Sequence, residues 1–181
     1  PMLFIMVGIT VATQTDRLIL SHAAPTELPT YAVVAQLYAP LYGLVGTAGL
    51  ALWPFFSRQR IADARSARHA WLKATIALGA LGAACGTALL LVGDMLVAAL
   101  SASALDPGGS LFLAFAVLLT IQGAQYVTGV YLTRPPELRR QAFCVWAMVP
   151  CNLTLSWLLA GRLGAPGPVI ASAACLAIIQ W

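Results

Sequence analysis

LKATIALGALGAACGTALLLV, residues 72–92, decides the class of this chain. The stretch carries a single charge, Lys73. A helix of this length reaches about 30 Å at 1.5 Å per residue, which matches the hydrocarbon core of a bilayer. Working outward, its apolar character extends to Leu100, and five further runs of similar kind flank it: Met2 to Leu20, Tyr31 to Phe55, Ser110 to Leu132, Gln141 to Leu159 and Gly167 to Trp181. Open strands would leave backbone groups unpaired in lipid, and the runs are too long and too uniform for a membrane barrel. The expected fold is therefore all-α, a polytopic membrane bundle of six transmembrane helices.

Composition points the same way. Of 181 residues, 60% are hydrophobic and 9% charged, and the mean hydropathy is +0.85. Soluble domains carry about 25% charged residues, so a soluble enzyme, a disordered tail and a disulfide-stapled secreted domain are disfavoured. The net charge is +4. The cations cluster in two short segments, 57–70 (Arg58, Arg60, Arg65, Arg68) and 133–140 (Arg134, Arg139, Arg140), whereas the alternate loops hold His22 and Glu27, Asp106, and Arg162. That alternation satisfies the positive-inside rule in one topology, with both basic segments cytoplasmic and odd-numbered spans running outward. It marks orientation and not a nucleic-acid surface. Cys85, Cys144, Cys151 and Cys175 all lie in apolar runs without a C-x-x-C spacing, which reads as packing and not as a disulfide or metal site. Residue 1 is Pro and the last run stops after about 15 residues, short of a full span. Residues 1–181 thus read as a single six-helix lobe, a piece of a longer transporter-sized protein.

Polar residues inside the spans are the candidates for function, because an Asp or Arg near a helix centre costs about 2.5–3.5 kcal/mol on insertion scales. On the first span Thr10, Thr13, Gln14 and Arg17 share one face at 100° per residue, with Asp16 about 60° beyond it. Two readings stand for this group: the wall of a polar cavity, or residues close enough to Ser21 to snorkel to the outer interface. The second span places Tyr31, Tyr38, Tyr42, Gly49 and Trp53 on one stripe and carries Pro40. The tyrosines could line a passage, or anchor and pack the helix. Gly82 and Gly86 form a small-x-x-x-small pair suited to close helix packing. Gln122, Gln125, Tyr126 and Gly129 share a face of the fourth span, and Gln141, Asn152 and Ser156 a face of the fifth, where Asn152 reads as interhelical glue. His22 and His69 fall on opposite sides of the membrane, and no paired carboxylates, hydrolase motif or phosphate-cradling glycine loop occurs, so enzymatic activity is not expected. No cofactor or metal site is read.

The order of several landmarks is informative. Thr15-Asp16-Arg17-Leu18-Ile19-Leu20-Ser21 closes the first span, Leu52-Trp53-Pro54-Phe55-Phe56-Ser57 closes the Tyr-bearing helix ahead of a basic amphipathic stretch, and Pro150-Cys151-Asn152-Leu153-Thr154-Leu155-Ser156 and Arg162-Leu163-Gly164-Ala165-Pro166-Gly167 follow late in the chain. In this arrangement the chain resembles the C-terminal lobe of bacterial polysaccharide (O-antigen type) flippases, of the multidrug/oligosaccharidyl-lipid/polysaccharide exporter superfamily. The resemblance implies one of two six-helix lobes around a central cavity in the bacterial inner membrane, facing an N-terminal lobe not present in this sequence. It implies a lipid-linked oligosaccharide as cargo, moved by alternating access, with membrane lipids as the other partner. On that pattern Arg17 meets the diphosphate, Gln14, Tyr38, Tyr42 and Gln122 line the substrate path, and Asp16 pairs with Arg17 or couples transport to an ion gradient. A drug or cation antiporter of the same superfamily and a structural membrane subunit are the competing expectations.

Overall fold

In a computed structural model that describes residues 2–56, 64–102, 104–133 and 135–179, the chain forms six helices: α1 (Met2–Ala23), α2 (Leu28–Leu50), α3 (Ala64–Leu100), α4 (Gly108–Tyr131), α5 (Pro135–Leu163) and α6 (Pro166–Ile179). A 3₁₀ turn at Pro25–Glu27 joins α1 to α2. No strand occurs among the described residues. The all-helical expectation holds, and the helices fall where the apolar runs lie. Four segments are long and apolar enough to cross a membrane: Pro25–Phe56, Ser66–Leu100, Gly108–Tyr131 and Pro136–Leu163. The apolar helix at Pro166–Ile178 is shorter.

The helices sort into two groups of three. In one, α4 packs along α3 and against α2; in the other, α5 packs on α1 and α6. The contact of α4 with α6 joins the groups. Glycines set the first pairing. A Cβ on Gly86 would lie 2.8 Å from the Cα of Ala116, one on Gly82 would collide with the Leu119 carbonyl, and one on Gly123 with that of Leu78. In lipid the tails are as apolar as any core, so close backbone approach, and not expulsion from water, drives such pairs. On α2, a Cβ at Gly49 would strike the ring of Tyr126, a side-chain and not a backbone contact.

The central helix, α4, buries Leu111, Phe112, Phe115, Leu119 and Val127. The outside is apolar as well: Leu91 is 79% exposed, Ile178 78% and Phe143 76%. Large apolar side chains on every outward face are expected where the surrounding medium is hydrocarbon.

Two differences from the sequence reading have simple causes. The basic segment 57–70 was expected as a loop, yet helix α3 already runs from Ala64, so Arg68 and Lys73 ride on its first turns. The Ala-rich segment ARSARHAWLKA favours a helix and supplies no breaker. Arg58, Arg60 and Arg134 lie outside the described residues, as does the end of the chain at Trp181. Pro40 sits within α2 without ending it; it removes the hydrogen bond that the Gln36 carbonyl would otherwise accept.

The connections on one end are short and mutually supporting. Gly164, at φ +67°, closes α5 with its N–H on the Ala160 carbonyl at 3.0 Å, the left-handed stop that glycine adopts without penalty. Across from it the Glu27 carboxylate accepts the Ala165 N–H at the start of α6. A Cβ on Gly164 would strike that carboxylate. The turns 24–27 and 164–165 therefore share an end, and Leu105 from the α3–α4 connection packs on the same core. At the other end, Tyr131 meets Phe56 at 5.7 Å and Trp71 at 6.2 Å between ring centres.

The glycine seam is testable by reversible unfolding in detergent. Gly86→Leu is expected to destabilise the protein by at least about 1–3 kcal/mol, since the facing atoms are backbone and cannot step aside. Gly43→Ala, where no neighbour lies within 4 Å, is expected to be neutral or stabilising by about 0.5–1 kcal/mol.

Candidate functional site

Charged groups in an apolar bundle are expensive, so the position of Asp16 is the informative one. It is 6% exposed and sits about two turns from the end of α1. The buried stripe of α1 runs through Gly8, Asp16, Ile19 and Leu20, at helical spacings that turn one face toward α5 and α6. Asp16 thus points into the three-helix group α1–α5–α6.

Three side chains meet it there. Ser172, the one hydroxyl of α6, stands with its Oγ 3.5 Å from Asp16 Oδ2 and 3.3 Å from Asn152 Oδ1. Ser156, one turn beyond Asn152 on α5, places its Oγ 3.5 Å from the same Asn152 oxygen. Asn152 is 1% exposed and Ser156 is fully buried. A hydroxyl carries one hydrogen, so Ser172 can serve Asp16 or Asn152 but not both at once. Asp16 Oδ1 is buried and has no hydrogen-bond partner among the described residues. The deficit is confined to that one carboxylate oxygen, since Asn152 adds two amide N–H donors to the two hydroxyls of the cluster. Tyr31, buried at the start of α2, lies within electrostatic range of both Asp16 and Arg17.

The remaining predicted residues divide. Tyr38, Tyr42 and Gln122 come together: the Tyr38 hydroxyl donates to Gln122 Oε1, and the Tyr38 and Tyr42 rings stack with centres 5.8 Å apart. Tyr38 also meets Phe115 at 4.9 Å and Tyr31 meets it at 5.7 Å. Tyr31 and Tyr38 of the α2 stripe thus pack on Phe115 of α4, while Trp53 is exposed. Gln14 and Arg17 lie elsewhere, exposed on the side of α1 turned away from α5 and α6. The side chains of Thr10 and Thr13, predicted to share that face, are outside the described residues.

Sequence reasoning missed Ser172 and did not join Asp16 to the Asn152–Ser156 pair. The signal was faint: one serine in an otherwise apolar helix, and an i, i+4 polar pair that any neighbouring helix could have satisfied. Among the described residues no three His, Cys, Asp or Glu side chains gather as a metal site, and all four cysteines are free. Compared with protein-family models, curated proteins and solved structures, the chain matches none.

A double-mutant cycle tests whether the cluster is an energetic unit. Ser172→Ala and Asn152→Ala are expected to be non-additive, with a coupling of about 0.6–1.7 kcal/mol by unfolding in detergent, the range found for hydrogen bonds between membrane helices. Strict additivity would show that the 3.3 Å contact carries no energy.

Proposed function

We propose that this chain is one lobe of a transporter that moves a polyprenyl-diphosphate-linked oligosaccharide across the bacterial cytoplasmic membrane by alternating access. In this reading all six helices span the bilayer, the 57–70 and 133–140 segments face the cytoplasm, and a second lobe covers the Arg17 face of α1. The observation that carries it is the buried carboxyl of Asp16 in an apolar bundle, with its Oδ1 unpartnered among the described residues. A membrane protein that needed only helix glue could use amides and hydroxyls, whereas an ionisable group at this depth marks a path for ions or substrate. The nature of the cargo rests on the resemblance described above.

The division of labour follows from charge. A flippase must shield a glycan and about two negative charges from hydrocarbon while the lipid tail stays in it, and no covalent step is required. Arg17, exposed beside Asp16, offers a planar fork that matches phosphate oxygens in a bidentate manner. Gln14, three residues away on the same face, supplies a further donor to oxygen-rich cargo. Asp16 faces the opposite way, into the cluster. A proton on its carboxyl, or a small cation at Oδ1, would satisfy that unpartnered oxygen, and its occupancy would then be sensed by α5 and α6 through Ser172 and Asn152. A second reading draws on the same carboxyl: the buried ionic group is acidic, as an exporter of organic cations would require, and that reading exchanges the cargo and keeps the fold.

In cells that depend on the protein for polysaccharide export, Arg17→Ala is expected to reduce export at least tenfold at equal expression, with Arg17→Lys retaining part of it. Undiminished export by Arg17→Ala would remove the diphosphate role. Asp16→Asn is expected to abolish the dependence of export on the ion gradient; loss of lipophilic-cation efflux with polysaccharide export intact would favour the second reading.

A further inference from the structure

At the end of the bundle where α1 and α5 begin, the two helices leave a groove of about 390 Å³ lined by Phe4, Arg139, Ala142, Phe143 and Trp146. We propose that this groove binds an anionic phospholipid, one acyl chain lying against the aromatic side chains and the phosphate resting on Arg139. The inference needs only a membrane around the bundle and is independent of the cargo.

The groove is built by the packing beneath it. Gly8 has no side chain where a Cβ would stand 2.6 Å from Val145 Cγ1, so α5 approaches the α1 backbone closely beneath the groove. Above that contact the helices carry bulky, outward side chains: Phe4 is 61% exposed, Phe143 76% and Trp146 43%. Arg139 and Phe143 stand four residues apart on one face of α5, about 6 Å along the helix axis. The cation is the nearer of the two to the helix start, at the rim, and the rings lie one turn deeper. That order, charge outside and aromatic surface inside, is the profile of a phospholipid from headgroup to chain. Arg140 is exposed beside Arg139 and adds to the positive field, so the first two turns of α5 carry two exposed cations against the single acid Glu137. A zwitterionic lipid satisfies the rings but offers no net charge to Arg139, and free phosphate satisfies Arg139 but leaves the rings bare.

Native mass spectrometry of the purified protein, titrated with phosphatidylglycerol and phosphatidylcholine of identical acyl chains, tests this directly. Wild type is expected to favour the phosphatidylglycerol adduct about fivefold, the effect of one basic residue at an anionic surface. Arg139→Gln is expected to bring the ratio near one without loss of bound lipid, and Phe143→Ala to lower binding of both lipids. Arg162→Gln, an exposed cation at the other end of the bundle, is expected to leave the preference intact. Equal binding of the two lipids by wild type, an unchanged preference in Arg139→Gln, its loss in Arg162→Gln, displacement of lipid by inorganic phosphate, or a dimer mass that Phe143→Ala disperses would each overturn the proposal.

Discussion

Close contact between two helix backbones organises this bundle. At Gly82, Gly86 and Gly123 the chain carries no side chain where α3 and α4 cross, and each missing Cβ position falls against main-chain atoms of the facing helix. In water such a seam would be a minor supplement to apolar burial. In hydrocarbon, where side chains gain nothing by leaving the medium, dispersion between closely apposed backbones is a main source of cohesion. Fixing α4 against α3 presents the other sides of α4 to α2 and α6. The tyrosines of α2 seat on Phe115 and Gln122, and α6 brings α5 and α1 with it.

That arrangement gives Asp16 its surroundings. The residue does not belong to the α2–α3–α4 group; it lies in the second group, where α1, α5 and α6 contribute one carboxyl, one amide and two hydroxyls to a single buried spot. Polar clusters in apolar interiors are stable when every acceptor has a donor. In this one the exception is Asp16 Oδ1, which has no partner among the described residues. Under the proposed function, that oxygen is where a proton or a small cation would be held.

The outer surface has its own chemistry. Exposed leucine, isoleucine and phenylalanine side chains suit lipid tails, and among the described residues Arg68, Arg139 and Arg140 lie in the first turns of their helices and Arg162 in the last turn of α5. Where an exposed cation and aromatic rings share one groove, at the start of α5, the surface changes from a generic solvent for lipid into a shaped one.

The primary structure determined the class of the protein and most of its elements by itself. Six apolar runs predict the six helices, because length and hydropathy are properties of a segment and need no partner. Gly82 and Gly86 were legible as a packing seam for the same reason, since the absence of a side chain is a local fact. The direction of each helix face was not. On α1 the bundle leaves the Gln14–Arg17 face outside and turns Asp16, about 60° beyond the polar face, inward, which the spacing of these residues could not decide. On α2 the tyrosine stripe fits a passage and a packing face equally well, and only the fold shows Tyr31 and Tyr38 against Phe115 of α4. A helix apolar on nearly every side holds too little asymmetry to select its own orientation in lipid. Contacts from α5 and α6, remote in sequence, select it instead, and they alone gather Ser172, Asn152 and Ser156 around one carboxyl.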